Sequence, residues 1–175
     1  MSVRRLNHAV LYVSDVARSV EFYRGTLGFE IAVEIPGRAA FLRAPGTAND
    51  HDLGLFQVGH PAPRQRIAGE PAAGGPPRPG LYHLAWEVGT LPELAEIRGL
   101  LAAQGALAGA SDHRVSKSLY AKDPDGIEFE VMWRVPVRDW DEERAKGGMI
   151  APLDLDVALA RWGDAVTGAA AGSAT

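Results

Sequence analysis

Three side chains in this sequence suit a divalent transition ion: the imidazoles of His8 and His83 and the carboxylate of Glu130. The histidines occupy matching places, in Leu6-Asn7-His8-Ala9-Val10 and Leu81-Tyr82-His83-Leu84-Ala85, a period of 83 − 8 = 75 residues. A lone strand histidine is most often a half-buried structural residue. Two at the same phase of a repeat argue for a shared task. Glu130 lies in Ile127-Glu128-Phe129-Glu130-Val131, where alternation puts Glu128 and Glu130 on one face and the apolar residues on the other. That face must accept carboxylates, as a sheet holding a metal would. Two imidazoles and one carboxylate leave coordination positions open, the donor set of non-haem ferrous enzymes. Applying the same period to Glu130 gives 130 − 75 = 55, so Leu55 is its expected twin and the first half lacks the carboxylate.

The elements that must position these groups repeat as well. Residues 6–13 read as a strand ending at Ser14-Asp15, a helix cap. Residues 16–27 place Val16, Val20, Tyr23 and Leu27 at helical spacing, with Gly28 as the stop. Strands are expected at 29–34, 38–43 and 52–58, punctuated by Pro36-Gly37 and Pro45-Gly46. In the second half a strand at 81–88 precedes a helix at 91–104, which carries Leu94, Ile97, Leu100 and Leu101 on one face and stops at Gly105. Strands at 116–122 and 127–133 follow, joined by the turn Asp123-Pro124-Asp125-Gly126. The segment 59–80, rich in Pro, Gly and Ala and containing His60, reads as a linker or a substrate-covering loop. After Trp133 comes an extension, 134–175, with a short helix expected beyond Pro152-Leu153-Asp154-Leu155-Asp156 and disorder over 168–175.

Composition narrows the classes. With 175 residues, 46% hydrophobic and 23% charged, the chain suits one soluble globular domain. A net charge of −4 gives no electrostatic reason to expect a nucleic-acid partner. The absence of cysteine excludes disulfides, thiolate zinc sites, iron–sulfur clusters and a thiol nucleophile. No stretch reads as a secretion signal or a membrane span, so a cytoplasmic enzyme is expected.

The most specific stretch is Asp112-His113-Arg114-Val115-Ser116-Lys117-Ser118-Leu119-Tyr120-Ala121-Lys122-Asp123-Pro124-Asp125-Gly126-Ile127-Glu128-Phe129-Glu130. It resembles the extradiol ring-cleavage motif: a histidine, an apolar-Tyr pair, an acidic-Pro-x-Gly turn and a glutamate ligand. Ser111 departs mildly from it, standing where Gly, Asn, Thr or a β-branched residue is usual. With the repeat, residues 6–133 resemble the vicinal oxygen chelate superfamily, which holds glyoxalases, bleomycin-resistance proteins and extradiol dioxygenases. The likeness is to its small catechol 2,3-dioxygenase-like members.

The resemblance implies an α+β fold in which two βαβββ modules, 4–58 and 81–133, pair within one domain as a cupped mixed sheet around a metal. It implies Fe(II), with Mn(II) as the alternative, held by His8, His83 and Glu130, and dioxygen as co-substrate. His51, in Asn49-Asp50-His51-Asp52, takes the place of the acid/base catalyst, while Tyr120 and His113 hydrogen-bond the substrate oxygens. The partners expected are a small aromatic diol and further copies of the chain in a homo-oligomer. Two other readings stay open. A glyoxalase- or epimerase-like enzyme keeps the fold and a metal but usually adds a glutamate ligand at the place of Leu55, and residues 53–58 hold no carboxylate. A metal-free drug-binding resistance protein keeps the fold but commonly lacks the ligand triad.

Overall fold

The computed structural model describes residues 2–3, 5–58 and 80–165. The expectations for residues 59–79, His60 among them, and for 168–175 lie outside the described residues. The described chain forms two compact units: residues up to 58 with Asp123–Gly126, and the remainder.

The first unit runs β1 (Ala9–Val13), α1 (Val16–Leu27), β2 (Glu30–Ile35), β3 (Ala39–Arg43) and β4 (Leu53–Gln57). Its sheet has the order β1-β4-β3-β2, with β1 parallel to β4 and the other pairs antiparallel. Asp15 starts α1 by accepting a hydrogen bond from the Arg18 amide, which satisfies one of the free donors of the first turn. Gly28 ends it at φ 72°, a conformation that costs glycine little. Val16, Val20, Phe22 and Tyr23 of the helix are buried, as are Leu11, Val13, Leu42, Leu53 and Leu55 of the strands. On the other face of the sheet Val10, Tyr12 and Phe56 are exposed. The turn Asp123–Gly126 belongs to this unit. Asp125 accepts from the Ser14 amide and from Arg18, and the Tyr23 hydroxyl donates to Asp123.

The second unit runs β5 (Leu84–Glu87), α2 (Leu91–Ala103), β6 (Leu107–Asp112), β7 (Ser116–Lys122) and β8 (Glu128–Arg134). The extension adds a 3-10 turn at Val137–Asp139, α3 (Trp140–Ala145), β9 (Ala151–Pro152) and α4 (Leu155–Trp162). The sheet order is β5-β8-β7-β6-β9, again with one parallel pair, β5 with β8. Thr90 and Glu93 form a reciprocal capping box at the start of α2. Leu91, Leu94, Leu101, Leu119, Phe129, Val131 and Trp133 make the core, and α4 brings Leu155 and Trp162 to it.

Each unit therefore has the expected strand–helix–three-strand order, and the α+β class holds. The strands β1 and β5 are shorter than the sequence predicts, starting at Ala9 and Leu84. Each pairs with a single neighbour, from Ala9 opposite Leu53 and from Leu84 opposite Phe129. His8 and His83 thus stand one residue before their strands. The helix expected after Asp154 is present, capped by that residue. The strand β9 has no signal in the sequence: it is two residues long and is defined by its partner on the β6 edge.

Candidate metal-binding faces

In the first unit His8 leads into β1, and His51 sits in the loop just before β4. Their rings lie 4.6 Å apart between centroids. Phe41 of β3 packs edge-on against His51 at 5.1 Å. The Nδ1 of His51 is 3.0 Å from Asp50 Oδ2, and this hydrogen bond holds the Asp50 carboxyl below its ordinary pKa. His51 is thus held on two sides, with its ring beside that of His8.

The Nδ1 of His8 lies 2.9 Å from Asn7 Oδ1. A ring whose Nδ1 donates to a carbonyl presents Nε2 as its lone pair, the usual outer-shell arrangement of a metal-ligating histidine. Behind it, Asn7 Nδ2 donates to Asn49 Oδ1 at 3.0 Å, and Asn49 Nδ2 donates to Asp52 Oδ1 at 2.6 Å. Asp52 is buried and also accepts from the Ala44 amide at 2.9 Å. One polar chain therefore ties the His8 segment to the loop that carries His51. Sequence reasoning misses Asn7, Asn49 and Asp52, because their role depends on an approach between segments some forty residues apart.

In the second unit His83 Nε2 and Glu130 Oε2 are 3.0 Å apart. That is also the spacing of two neighbouring donors each about 2.1 Å from one ion at right angles. His83 Nδ1 is a buried polar atom with no hydrogen-bond partner among the described residues. Tyr120 stands directly across from Glu130 on β7, and its ring lies 5.8 Å from that of His83. Burial first, and then the Glu130 carboxylate, push the Tyr120 phenol above its ordinary pKa, so it stays protonated near neutrality. Its Oη lies 2.7 Å from His113 Nε2. Either tautomer of His113 completes that bond, since a hydroxyl both donates and accepts.

The six residues singled out in the sequence thus fall into two groups, His8 with His51 and His83 with Glu130, Tyr120 and His113. Among the described residues, no three His, Asp or Glu side chains come together in a metal-holding cluster. The chemistry of the donors nonetheless suits a divalent ion, each unit taken by itself: a hydrogen-bonded imidazole in the first, an imidazole–carboxylate pair in the second.

Strand registers correct one expectation. Val10 of β1 pairs with Gly54 of β4, and Ala85 of β5 pairs with Glu130 of β8. Phe41 of β3 faces Gly54, and Tyr120 of β7 faces Glu130. The structural twin of Glu130 is therefore Gly54, not Leu55, and Phe41 is the twin of Tyr120. Leu55 is fully buried on the helix side of its sheet. The chemical consequence survives the correction, since glycine offers a metal no side-chain donor either.

Two modules of this strand–helix–three-strand order, each with a histidine just before its first strand, define a class of α+β proteins. The sequence pattern of the Glyoxalase/Bleomycin resistance protein/Dioxygenase superfamily matches residues 5–131, and the chain belongs to that family, the vicinal oxygen chelate superfamily. Over 156 residues it is 26% identical to a catechol-2,3-dioxygenase of Bacillus subtilis (strain 168), covering 87% of this chain and 49% of that protein. It is 26% identical over 106 residues to metapyrocatechase 2 of Cupriavidus necator, covering 61% of this chain and 28% of the relative. The chain thus spans about half or less of these relatives. Among solved structures, a glyoxylase/bleomycin resistance protein/dioxygenase domain from Frankia sp. EAN1pec superposes with a TM-score of 0.59 at 23% identity, covering 81% of this chain and 99% of that one. The fosfomycin resistance protein FosX of Listeria monocytogenes does so at 0.55 and 15% identity, covering 79% and 99%. At these identities the two structures speak for the fold. Among the described residues, no helix is long and apolar enough to cross a membrane.

Proposed function

We propose that the chain is an extradiol ring-cleaving dioxygenase that acts on a small catecholic substrate with dioxygen and ferrous iron, manganese being the alternative metal. His8, His83 and Glu130 would hold the metal, which would supply Lewis acidity toward the catechol and a common place for the two reactants. His51 accepts the remaining catechol proton and later returns it, a task that an imidazole, with one ring nitrogen to accept and one to donate, can perform. Tyr120, kept protonated, and His113 bind the substrate oxygens and orient the ring. Both atoms of dioxygen end in a ring-opened semialdehyde or keto acid. The same reading has the chain assemble as a homo-oligomer, which light scattering on purified protein checks.

One observation supports this reading above the rest. His83–Glu130 and His113–Tyr120 are two polar pairs on neighbouring strands, joined through the Tyr120 ring. A donor pair beside a hydrogen-bonding pair is what an oxygen-rich, planar, bidentate substrate needs. The absence of a carboxylate at Gly54 speaks against a fourth protein ligand and so against the glyoxalase-type alternative. The test is anaerobic reconstitution with ferrous iron, followed by oxygen uptake and absorbance with a panel of catechols. Stoichiometric iron and a yellow product are expected. No oxygen uptake with any member of the panel refutes the assignment.

A further inference from the structure

We propose that the loop 113–115 and the C-terminal extension form a clasp that aims His113 at Tyr120, with Arg114 as its positioning residue. Among the described residues Arg114 is the only non-glycine with positive φ, 69°. The Val115 amide donates to the His113 carbonyl at 2.9 Å around it. Positive φ with that bond across a single residue is the γ-turn of the rare, strained hand. Glycine would make such a reversal at little cost. Here an arginine makes it, and the strain persists only because the surroundings over-determine it.

Those surroundings can be named. The Arg114 amide donates to Asp112 Oδ1 at 2.7 Å, and the Arg114 carbonyl accepts from Lys117 Nζ at 3.1 Å. Lys117, almost wholly buried, also donates to Asp112 at 2.6 Å and pairs with buried Glu143 of α3 at 3.5 Å. The Arg114 guanidinium donates through Nε to the Gly148 carbonyl at 3.2 Å. A Cβ on Gly148 would come within 3.3 Å of that guanidinium, and its φ of 68° also favours glycine. The Val135 amide donates to the Val115 carbonyl at 3.0 Å, and β9 pairs along Ser111 and Asp112. Val135, Glu143, Gly148 and β9 all lie beyond β8, so the extension grips both flanks of the turn. His113 sits between them, its amide bonded to the Ser116 carbonyl at 2.9 Å and its Nε2 on Tyr120. Extra chain and backbone strain are concentrated where one imidazole needs a fixed direction.

The effect on turnover rests on the dioxygenase reading; the effect on His113 does not. The test uses full-length Arg114→Gly and Arg114→Ala. Glycine accepts the φ, so that variant folds while losing the tie to Gly148; alanine loses the tie and keeps the strain. The first readout is the His113 Nε2 resonance in metal-free, ¹⁵N-histidine-labelled protein, assigned with His113→Asn and referenced to Tyr120→Phe, in which the bond is absent. In the folded Arg114 variants it should move at least halfway to the Tyr120→Phe position. The second is iron-loaded turnover, where kcat should fall about tenfold with KM changed less than about twofold, the signature of misplaced rather than missing machinery. A resonance unmoved in the folded variants overturns the proposal, whatever the rates; with a rate loss it makes Arg114 a substrate contact. A moved resonance with unchanged kcat upholds the clasp and overturns its bearing on turnover. A moved resonance in a protein that cleaves no catechol leaves the clasp standing and removes the dioxygenase reading.

Discussion

Lys117→Met tests whether the buried charges beneath this clasp carry stability. Methionine fills most of the space of the lysine stem, so the perturbation is chiefly the loss of the ammonium. That group donates to Asp112 at 2.6 Å and to the Arg114 carbonyl at 3.1 Å, pairs with Glu143 at 3.5 Å, and lies 5.1 Å from the centre of the Trp162 ring. Removing one partner of a buried ion pair costs about 3–5 kcal/mol. The lower end applies here, because Glu143 keeps Lys146 at 2.5 Å and Arg161 at 3.0 Å, and Asp112 retains some contact with water. A loss of about 3 kcal/mol corresponds to about 6–12 °C in Tm for a chain of this size. Trp133 and Trp162, 5.8 Å apart beside Lys117, make tryptophan fluorescence a local probe. Urea unfolding followed by fluorescence and by far-ultraviolet circular dichroism should give coincident curves, shifted to lower urea in the variant. Arg134→Ala, which breaks the exposed pair with Glu87, is the contrast and should cost less than about 1 kcal/mol. If Lys117→Met also costs less than about 1 kcal/mol, the network is no keystone and the reasoning fails.

The remaining predictions concern the two faces and the first unit. Burial, and then the Asp123 carboxylate, hold the Tyr23 phenol well above its ordinary pKa, so the fold favours the protonated form. Its contribution is complete below the unfolded value of about 10 and is lost as pH rises from there toward the folded value. The urea midpoint of the wild type should therefore fall more steeply above pH ~10 than that of Tyr23→Phe, and parallel slopes would exclude the effect. Asn7→Ala frees the His8 ring and should weaken iron binding by about 10- to 100-fold, read by competition with a coloured chelator; unchanged affinity would separate His8 from the metal. His51→Ala should lower ring cleavage by about 10²- to 10⁴-fold while iron stoichiometry stays the same. Full activity in that variant removes the assigned base, and lost iron moves His51 into the ligand set.

How much of this is legible in the sequence depends on how local each determinant is. The helices α1 and α2 announce themselves through apolar spacing and through Asp15, Gly28 and Gly105, all within a turn or two of what they control, whereas the Thr90 cap emerges from the structure. Asp15 and Thr90 keep the same 75-residue period as His8 and His83, because the stretch between histidine and cap is equally long in both halves. Beyond the helices the period fails. Phe41 follows His8 by 33 residues where Tyr120 follows His83 by 37, and Gly54 follows Phe41 by 13 where Glu130 follows Tyr120 by 10, so the first half falls four short, regains three, and the twin of Glu130 slips from Leu55 to Gly54. Only hydrogen-bonded register corrects a count carried through loops of unequal length.

The same distinction explains where the candidate site is hidden. Tyr120 and Glu130 lie within strands and stand opposite each other in register, so the sheet itself puts them on one face. The four histidines do not. His8 and His83 stand one residue before β1 and β5, His51 two residues before β4, and His113 one residue after β6. A strand residue inherits its direction from the sheet, whereas a residue at a strand end takes it from whatever holds the adjoining loop. That is why the side chains that hold these loops, Asn7 beside His8, Phe41 and Asp50 beside His51, and Arg114 beyond His113, escape a reading of the sequence. It also predicts where substitutions outside the ligand set act most strongly: on these four holders rather than on the core of either sheet.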